Sequence, residues 1–494
     1  MQHTRNRRSP QVRASSDALL TAWEKSLAEN KDGPAILDGR GNITRTFAGI
    51  EERTKVFAQK LQSLAAGEVA AVQIGNHPDW PSLFIACLRR QIVVLPLEQS
   101  ISENERTMAV KICRASAVFT LVRGGSSNEV VMLSDPDVAA AVPGGREPDA
   151  RPLKVTAPPD WAGRHPALLK LTSGTTAAPR AIRFRSEQLL ADCENICETM
   201  QFGQRDLNYG VIPISHSYGF SNLLTPLLAR AVPMALSTDR MPRAIMAGLA
   251  ATRATVLPGM PVFYQSLCEL DDVPPLPELR LCISAGAPLT VELANQFRAR
   301  FHREIHSFYG SSECGGICYV REPEPIPGFV GEAMRGVEIE LLDSKTGSSR
   351  IRVLSRAVGD GYFPEPDDSK LGRGSFLPDD LLEKRGPGYR IVGRVSDLIN
   401  VAGKKVNPAE VEAEILKCPG VREAIAFGRQ SKRRHQEVAA CVVANGEVSE
   451  MELLAHLRAR LSSWQVPRRI YFVEAIPVNE RGKTSRRELA RRFI

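Results

Sequence analysis

Short, wholly apolar runs rich in Val, Ile and Ala recur along the chain between stretches of helical pattern. VAAVQI (Val69–Ile74) precedes the helix-like PDWPSLFIACLRRQ, and IVVLPL (Ile92–Leu97) follows it. The alternation returns at YGVIPI (Tyr209–Ile214), PMALST (Pro233–Thr238), ATVLPG (Ala254–Gly259) and LRLCIS (Leu279–Ser284). Strands without polar alternation, separated by helices, predict parallel sheets covered on both faces, an α/β class of fold. Ligands in that architecture bind at the carboxyl ends of strands, so the loops after these runs are the places to search.

Pro/Gly/Asp-rich segments at Pro143–Pro159 and Tyr362–Pro387 interrupt the pattern, and after Arg394 its character changes. NPAEVEAEILKC predicts a helix capped by Asn407 with Pro408 at its first position. VREAIAFG and EVAACVVA then predict strands, SEMELLAHLRARLS a helix and RRIYFVEAI a further strand. This is a small α+β domain behind a much larger body. The expected division is a basic tail over 1–16, a large domain over 17–393, a hinge at 394–397 and a small domain over 398–494.

With 494 residues, 43% hydrophobic and 24% charged, the composition is globular and the length suits more than one domain. The net charge of +8 is gathered partly at the ends, and no aromatic-interleaved basic stripe accompanies it, which argues against nucleic acid as a partner. No apolar run approaches the roughly 20 residues a membrane span needs, and no signal-peptide core follows Met1. The ten cysteines are scattered and read as free, buried thiols in a reducing compartment, so a cytoplasmic location is expected.

Four stretches carry candidate chemistry. LTSGTTAAPRAIRF (Leu171–Phe184) packs hydroxyls around one glycine before Arg180, a composition that suits a tetrahedral anion and is also common in turns. FHREIHSFYGSSECGG (Phe301–Gly316) predicts a strand ending in a glycine turn that presents Ser311, Ser312 and Glu313. An acidic side chain beside hydroxyls is suited to Mg²⁺ on nucleotide phosphates, and equally to capping a turn. His302 and His306 flank Glu304 in the wrong order for a zinc helix and are read as structural. The remaining two are GYRIVGRVSDLINVAGKKVNPAEVE (Gly388–Glu412) and IPVNERGKTSRREL (Ile476–Leu489). In the latter, Gly482-Lys483-Thr484 mimics the end of a Walker loop, but Pro477 occupies the place of its first glycine, so a P-loop is rejected.

Taken in order, TSGTTAAPR, SAGAPL (Ser284–Leu289), YGSSE, GRVSDLINVAGKKVNPAEVE and RGKTSRREL give a chain that resembles the adenylate-forming superfamily, on its acyl-CoA synthetase branch. The resemblance runs from about Glu24 to the end. It implies a large domain that binds ATP and a carboxylic acid, and a small domain that rotates between acyl-adenylate formation and transfer to a thiol. It further implies that Thr172, Ser173, Gly174, Thr175 and Thr176 cradle the β- and γ-phosphates, with Arg180 where the family usually has Lys. Glu313 would ligate Mg²⁺ with Ser312 supporting the phosphates. Tyr309, Gly310 and Ser311, with the Gly286-Ala287 backbone, would surround the nucleotide base, and Asp380 and Arg394 the ribose. Lys483 would bridge carboxylate and α-phosphate, Ser396 would stand at the hinge, and Gly403, Lys404 and Lys405 would line the thiol channel.

His216, Tyr218, Gly219 and Phe220 fall in the segment that aligns with the family's acyl pocket. Ser217 stands where peptide-synthetase domains place an Asp for an amino acid's ammonium, so an α-amino acid is disfavoured. Apolar surroundings suit a medium- or long-chain fatty acid or an aryl acid. The thiol is expected to be CoA, with a separate acyl carrier protein as the alternative acceptor. Some positions depart from the family pattern: Ala177 and Ala181 stand for glycines, and Pro378-Asp379-Asp380 replaces Thr-Gly-Asp. They leave open a non-catalytic nucleotide- or acyl-binding relative.

Overall fold

The computed structural model describes residues 17–124, 127–133, 159–161, 165–172, 180–343, 347–401, 403–431, 435–445, 448–477 and 486–493. These divide into two compact units. One lies within Met1–Pro327, Gly331–Glu338 and Val353–Phe376, the other within Gly328–Val330, Ile339–Arg352 and Leu377–Ile494.

The apolar runs form the centres of two sheets in the first unit. In one, Leu168–Leu171, Val93–Pro96, Val69–Gln73 and Ala115–Gly124 run parallel side by side. Antiparallel strands Ala181–Phe184 and Gly361–Phe363 extend it at one edge and Ser127–Leu133 at the other. In the second sheet, Ile305–Ser311, Leu281–Ser284, Val256–Gly259, Asn208–Gly210, Met234–Leu236 and Pro34–Asp38 are parallel neighbours. Val69–Gln73 and Val93–Pro96 are buried along their whole length, as strands covered on both faces require. Helix Trp80–Arg89, started by Pro81 in its first turn, is almost wholly buried.

One predicted strand is shorter than its pattern. YGVIPI is extended into a ladder only as far as Gly210, because beyond it the backbone finds a side chain in place of a neighbouring strand. The Asn76 amide, 8% exposed, donates to the carbonyls of Gly210 and Ile212 at 3.0 Å each and accepts from the Ile214 N–H at 2.9 Å. Asn76 follows a strand of the first sheet, so this one side chain ties the two sheets and steers the chain toward His216. Replacing it orphans the Ile212 carbonyl and the Ile214 N–H, while the Gly210 carbonyl keeps the Ser237 N–H at 3.4 Å, and Asn76→Ala should destabilise the protein by about 3 kcal/mol. Urea denaturation checks this; an unchanged midpoint would mean that water takes over the role.

In the second unit, Lys404–Val406, Ile399–Val401, His435–Ala444, Val421–Ser431 and Arg469–Phe472 form a five-stranded sheet. Alternation along the two longest strands buries Ala426, Val438, Ala440 and Val442 against helices Pro408–Ile415 and Glu450–Arg458. The opposite set, Phe427, Ala439 and Cys441, packs with Leu489 of helix Arg486–Arg492. The Asn407 side chain caps Pro408–Ile415, as its sequence predicts. The segment that interrupts the pattern, Tyr362–Pro387, carries short antiparallel strands at Leu371–Gly372 and Ser375–Phe376 and the whole of Asp380–Arg385, since its glycines form tight turns between short paired pieces. The ten cysteines are free and buried, and no helix among the described residues is long and apolar enough to cross a membrane.

Candidate active site

Strand Ile305–Ser311 runs one residue past the predicted glycine turn and folds back antiparallel as Gly315–Tyr319, with Ser311 opposite Gly315. Gly310 is needed there, because a Cβ would stand 2.7 Å from the Gly315 carbonyl oxygen. The turn between them carries Ser312 and Glu313. The Ser311 hydroxyl donates to the Glu313 carboxylate, and the Gly359 N–H donates to the Glu313 carbonyl at 2.9 Å.

Glu313 also receives the Tyr362 hydroxyl at 3.3 Å, and the Arg180 guanidinium lies 4.1 Å above the centre of the Tyr362 ring. Arg180 and Tyr362 meet because their strands pair, with Tyr362 opposite Ile182. Burial, reinforced by the Glu313 charge, pushes the Tyr362 phenol well above its usual range, while Arg180 opposes the shift, so Tyr362 stays a donor at neutral pH. Thr172 closes the same corner: its N–H donates to the Arg180 carbonyl at 2.8 Å and its hydroxyl to the same oxygen at 3.0 Å. Ser173, Gly174, Thr175, Thr176 and Ala177 lie outside the described residues. Ala181 begins an ordinary strand opposite Leu171, so no glycine conformation is demanded of it.

The segment His216–Phe220 reaches this turn directly. The hydroxyls of Ser217 and Ser312 are 3.0 Å apart, and the Tyr218 hydroxyl donates to the Ile283 carbonyl at 3.1 Å, one residue before the SAGAPL loop. His216 starts the helix, its Nδ1 accepting from the Tyr218 N–H at 3.3 Å. Gly219 permits a close crossing, since a Cβ would come within 2.0 Å of the Pro213 carbonyl oxygen. Phe220 is 1% exposed and packs edge-on against Phe84, in the core. A π-helical turn, Phe220–Leu224, follows. Gly286 has a φ of +83°, Ala287 beside it is exposed, and Tyr309 is half-buried. His302 ends a helix in a left-handed conformation, and His306 stacks on Tyr319 while its Nδ1 lies 2.9 Å from the Val320 carbonyl oxygen.

The other predicted residues belong to the second unit. Asp380 and Arg394 face each other across two strands and pair at 3.0 Å. Asp379, in contrast, holds the turn Val395–Asp397: its carbonyl accepts from the Val395 N–H at 2.7 Å and its carboxylate from the Ser396 N–H at 3.2 Å. Gly403 turns with a φ of +87°, its N–H donating to the Asn400 side chain at 2.9 Å. Lys404 Nζ sits 3.4 Å over the Trp464 ring, and Lys405 is exposed. Lys483 and the basic run Lys432–Arg434 lie outside the described residues. Arg486, three positions beyond Lys483, donates to Asp397 at 2.6 Å, Glu412 at 2.9 Å and the Ala426 carbonyl at 3.0 Å.

Sequence reasoning passed over Tyr362, the buried residues Lys170 and Asp192, and Asn76. Only Lys170 left a signal, a charged residue inside the apolar run LLKL.

Residues 23–357 match the family model of the AMP-binding enzymes, and residues 410–483 match that of the AMP-binding enzyme C-terminal domain. A Humulus lupulus protein named as a probable CoA ligase is 25% identical over 97% of this chain and 97% of its own. A feruloyl-CoA synthase of Amycolatopsis is 27% identical over 92% and 95%. Among solved structures, ATP-bound MatB from Rhodopseudomonas palustris shares the fold with a TM-score of 0.78 at 24% identity, covering 96% of this chain and 98% of that one. Motif order, fold and family models agree, and the chain belongs to the AMP-binding enzymes, the adenylate-forming family.

Proposed function

We propose that the protein joins an apolar organic acid, an aryl acid before a fatty acid, to CoA through an acyl-adenylate. The observation that carries this reading is the convergence of Arg180, Tyr362, Glu313, Ser312 and Ser217 on one turn at the carboxyl end of parallel strands. Names of relatives such as feruloyl-CoA synthase and 4-coumarate–CoA ligase support the aryl acid and CoA over a carrier protein.

In this reading a carboxylate oxygen attacks the α-phosphorus of ATP and the bond to the bridging oxygen breaks, releasing pyrophosphate. The CoA sulfur then attacks the acyl carbon, its proton is lost, and AMP leaves. The steps need positioning and positive charge where negative charge accumulates. Arg180 supplies a planar cation, and Thr172, Ser173, Gly174, Thr175 and Thr176 are assigned to the β- and γ-phosphates. The donor set at the turn, one carboxylate beside hydroxyls, fits Mg²⁺, which takes one or two carboxylates and completes its shell with water and phosphate oxygens. When bound there it would neutralise phosphate charge. Tyr309, Gly310 and the Gly286-Ala287 backbone are assigned to the base, and Asp380 and Arg394 to the ribose. His216, Tyr218 and Gly219 are assigned to the acyl group, and Gly403, Lys404 and Lys405 to the path of the thiol. Residues 398–494 are taken to swing about Ser396, carrying Lys483 into the first step.

ATP–pyrophosphate exchange with a panel of aryl and fatty acids tests the reading. Exchange is expected with aryl acids, and a thioester once CoA is added. Silence toward every acid would favour the non-catalytic relative; thioester formation on a holo carrier protein in preference to CoA would reassign the acceptor.

A further inference from the structure

Asp192 stands in the middle of helix Ser186–Met200 and is 4% exposed. One carboxylate oxygen, Oδ1, accepts from the Gly316 N–H at 3.0 Å, and the other, Oδ2, accepts from the Ser221 hydroxyl at 2.6 Å. The backbone of the Glu313 hairpin is fitted to this group. Gly315 has a φ of +71°, and a Cβ there would stand 2.0 Å from Asp192 Oδ1. Its dihedral and the neighbouring carboxylate each demand glycine.

The contact falls where the hairpin's own ladder is irregular. Strands Ile305–Ser311 and Gly315–Tyr319 pair Tyr309 with Cys318 but Gly310 with Gly316, so the register slips by one residue between them. Such a bulge disrupts the ladder locally and lets the end of a hairpin be re-aimed. Ser311, Ser312 and Glu313 lie beyond the slip, at the tip. Gly316 is the first paired residue on that side, and its N–H is the one Asp192 takes. The other end of the brace is fixed too. Ser221 sits in the π-helical turn Phe220–Leu224, where the Asn208 amide donates to the Asn222 carbonyl at 2.9 Å and the Asn222 amide to the Tyr218 carbonyl at 3.1 Å. A metal or phosphate ligand works only when held within about 0.5 Å of its productive place by neighbours that are themselves locked.

We propose that Asp192 is a positioning residue that sets the direction of the Glu313 carboxylate for magnesium and ATP by fixing Gly316 beyond the register slip. It acts through the backbone of Gly315 and Gly316. The inference rests on the functional reading above, in which Asp192 has no role.

The test sets the unmutated protein beside Asp192→Ala and Asp192→Asn. Calorimetry measures ATP affinity with magnesium and with chelator, and the ratio of the two isolates what the metal contributes. Asp192→Ala should lower that ratio about tenfold and raise KM for ATP. Asp192→Asn, whose oxygen can face Gly316 while its NH₂ meets the Ser221 oxygen, should keep the ratio within about twofold. A merely structural role would lower Tm and weaken ATP equally with and without the metal. An unchanged ratio in folded Asp192→Ala would overturn the inference. So would an Asp192→Asn ratio as low as that of Asp192→Ala, which would make charge and not placement responsible. The helix keeps its seat through buried Leu189, Cys193 and Ile196 and through Thr199, which accepts from the Arg335 N–H at 3.0 Å, so Asp192→Ala is expected to fold. If it does not, Asp192→Ser, whose hydroxyl is one bond short of Gly316, is judged by the same criterion. No ATP binding by the unmutated protein would bring down the functional reading and this inference together; binding there with no change in the variants brings down the inference alone.

Discussion

Lys483→Ala is expected to abolish acyl-adenylate formation, slowing pyrophosphate exchange by at least about 10²–10³-fold, the usual cost of removing one preorganised donor from a developing charge. Thioester formation from supplied acyl-adenylate and CoA should survive largely intact, because that half-reaction moves no charge onto phosphorus of a triphosphate. The two steps separate only if the lysine serves one of them. Support comes from the segment RGKTSRREL and from its neighbour Arg486, which clamps the following helix to Asp397, next to Ser396. A cation three positions before a helix tied to the proposed hinge would act in one orientation of the small domain and withdraw in the other. Equal loss of both half-reactions would contradict the swing.

Glu313→Ala should lower magnesium-supported turnover by about 10²-fold, again the scale of one well-placed electrostatic contact. The fold should persist. Glu313 is half-buried, and its backbone carbonyl, which holds Gly359, is untouched by the substitution. Removing the carboxylate also takes the acceptor from the Ser311 and Tyr362 hydroxyls, a local loss beside the strands that hold both residues. Raising magnesium should restore little activity, because the lost group is the protein's own ligand. Turnover at the normal rate and magnesium dependence would place the metal elsewhere.

Much of this organisation is legible in the chain. Apolar runs without polar alternation forced parallel, doubly covered strands, and the hydroxyl-rich and acidic loops stood at their ends as that topology demands. Asn407 before Pro408 announced a capped helix because the cap is local chemistry. The ribose assignment shows where such reading stops. Spacing favoured Asp380 over Asp379, yet both carboxylates are engaged: Asp380 by Arg394 across a strand pair and Asp379 by the backbone of the turn before the small sheet. Adjacent residues on a strand point to opposite sides, and only the register decides which partner each meets.

By itself, then, the order of residues determined the class of fold, the family and the loops that bear the chemistry, since these depend on periodicity and on contacts between near neighbours. Packing of two sheets against shared helices decided the rest. It brought the Tyr362 hydroxyl to a carboxylate 49 positions away, sent the Asn76 amide to backbone 134 to 138 positions away, and set the Asp192 carboxylate on the Gly316 N–H, 124 positions away. Side chains so distant along the chain meet only after long-range strand register is set, and no local pattern encodes that register.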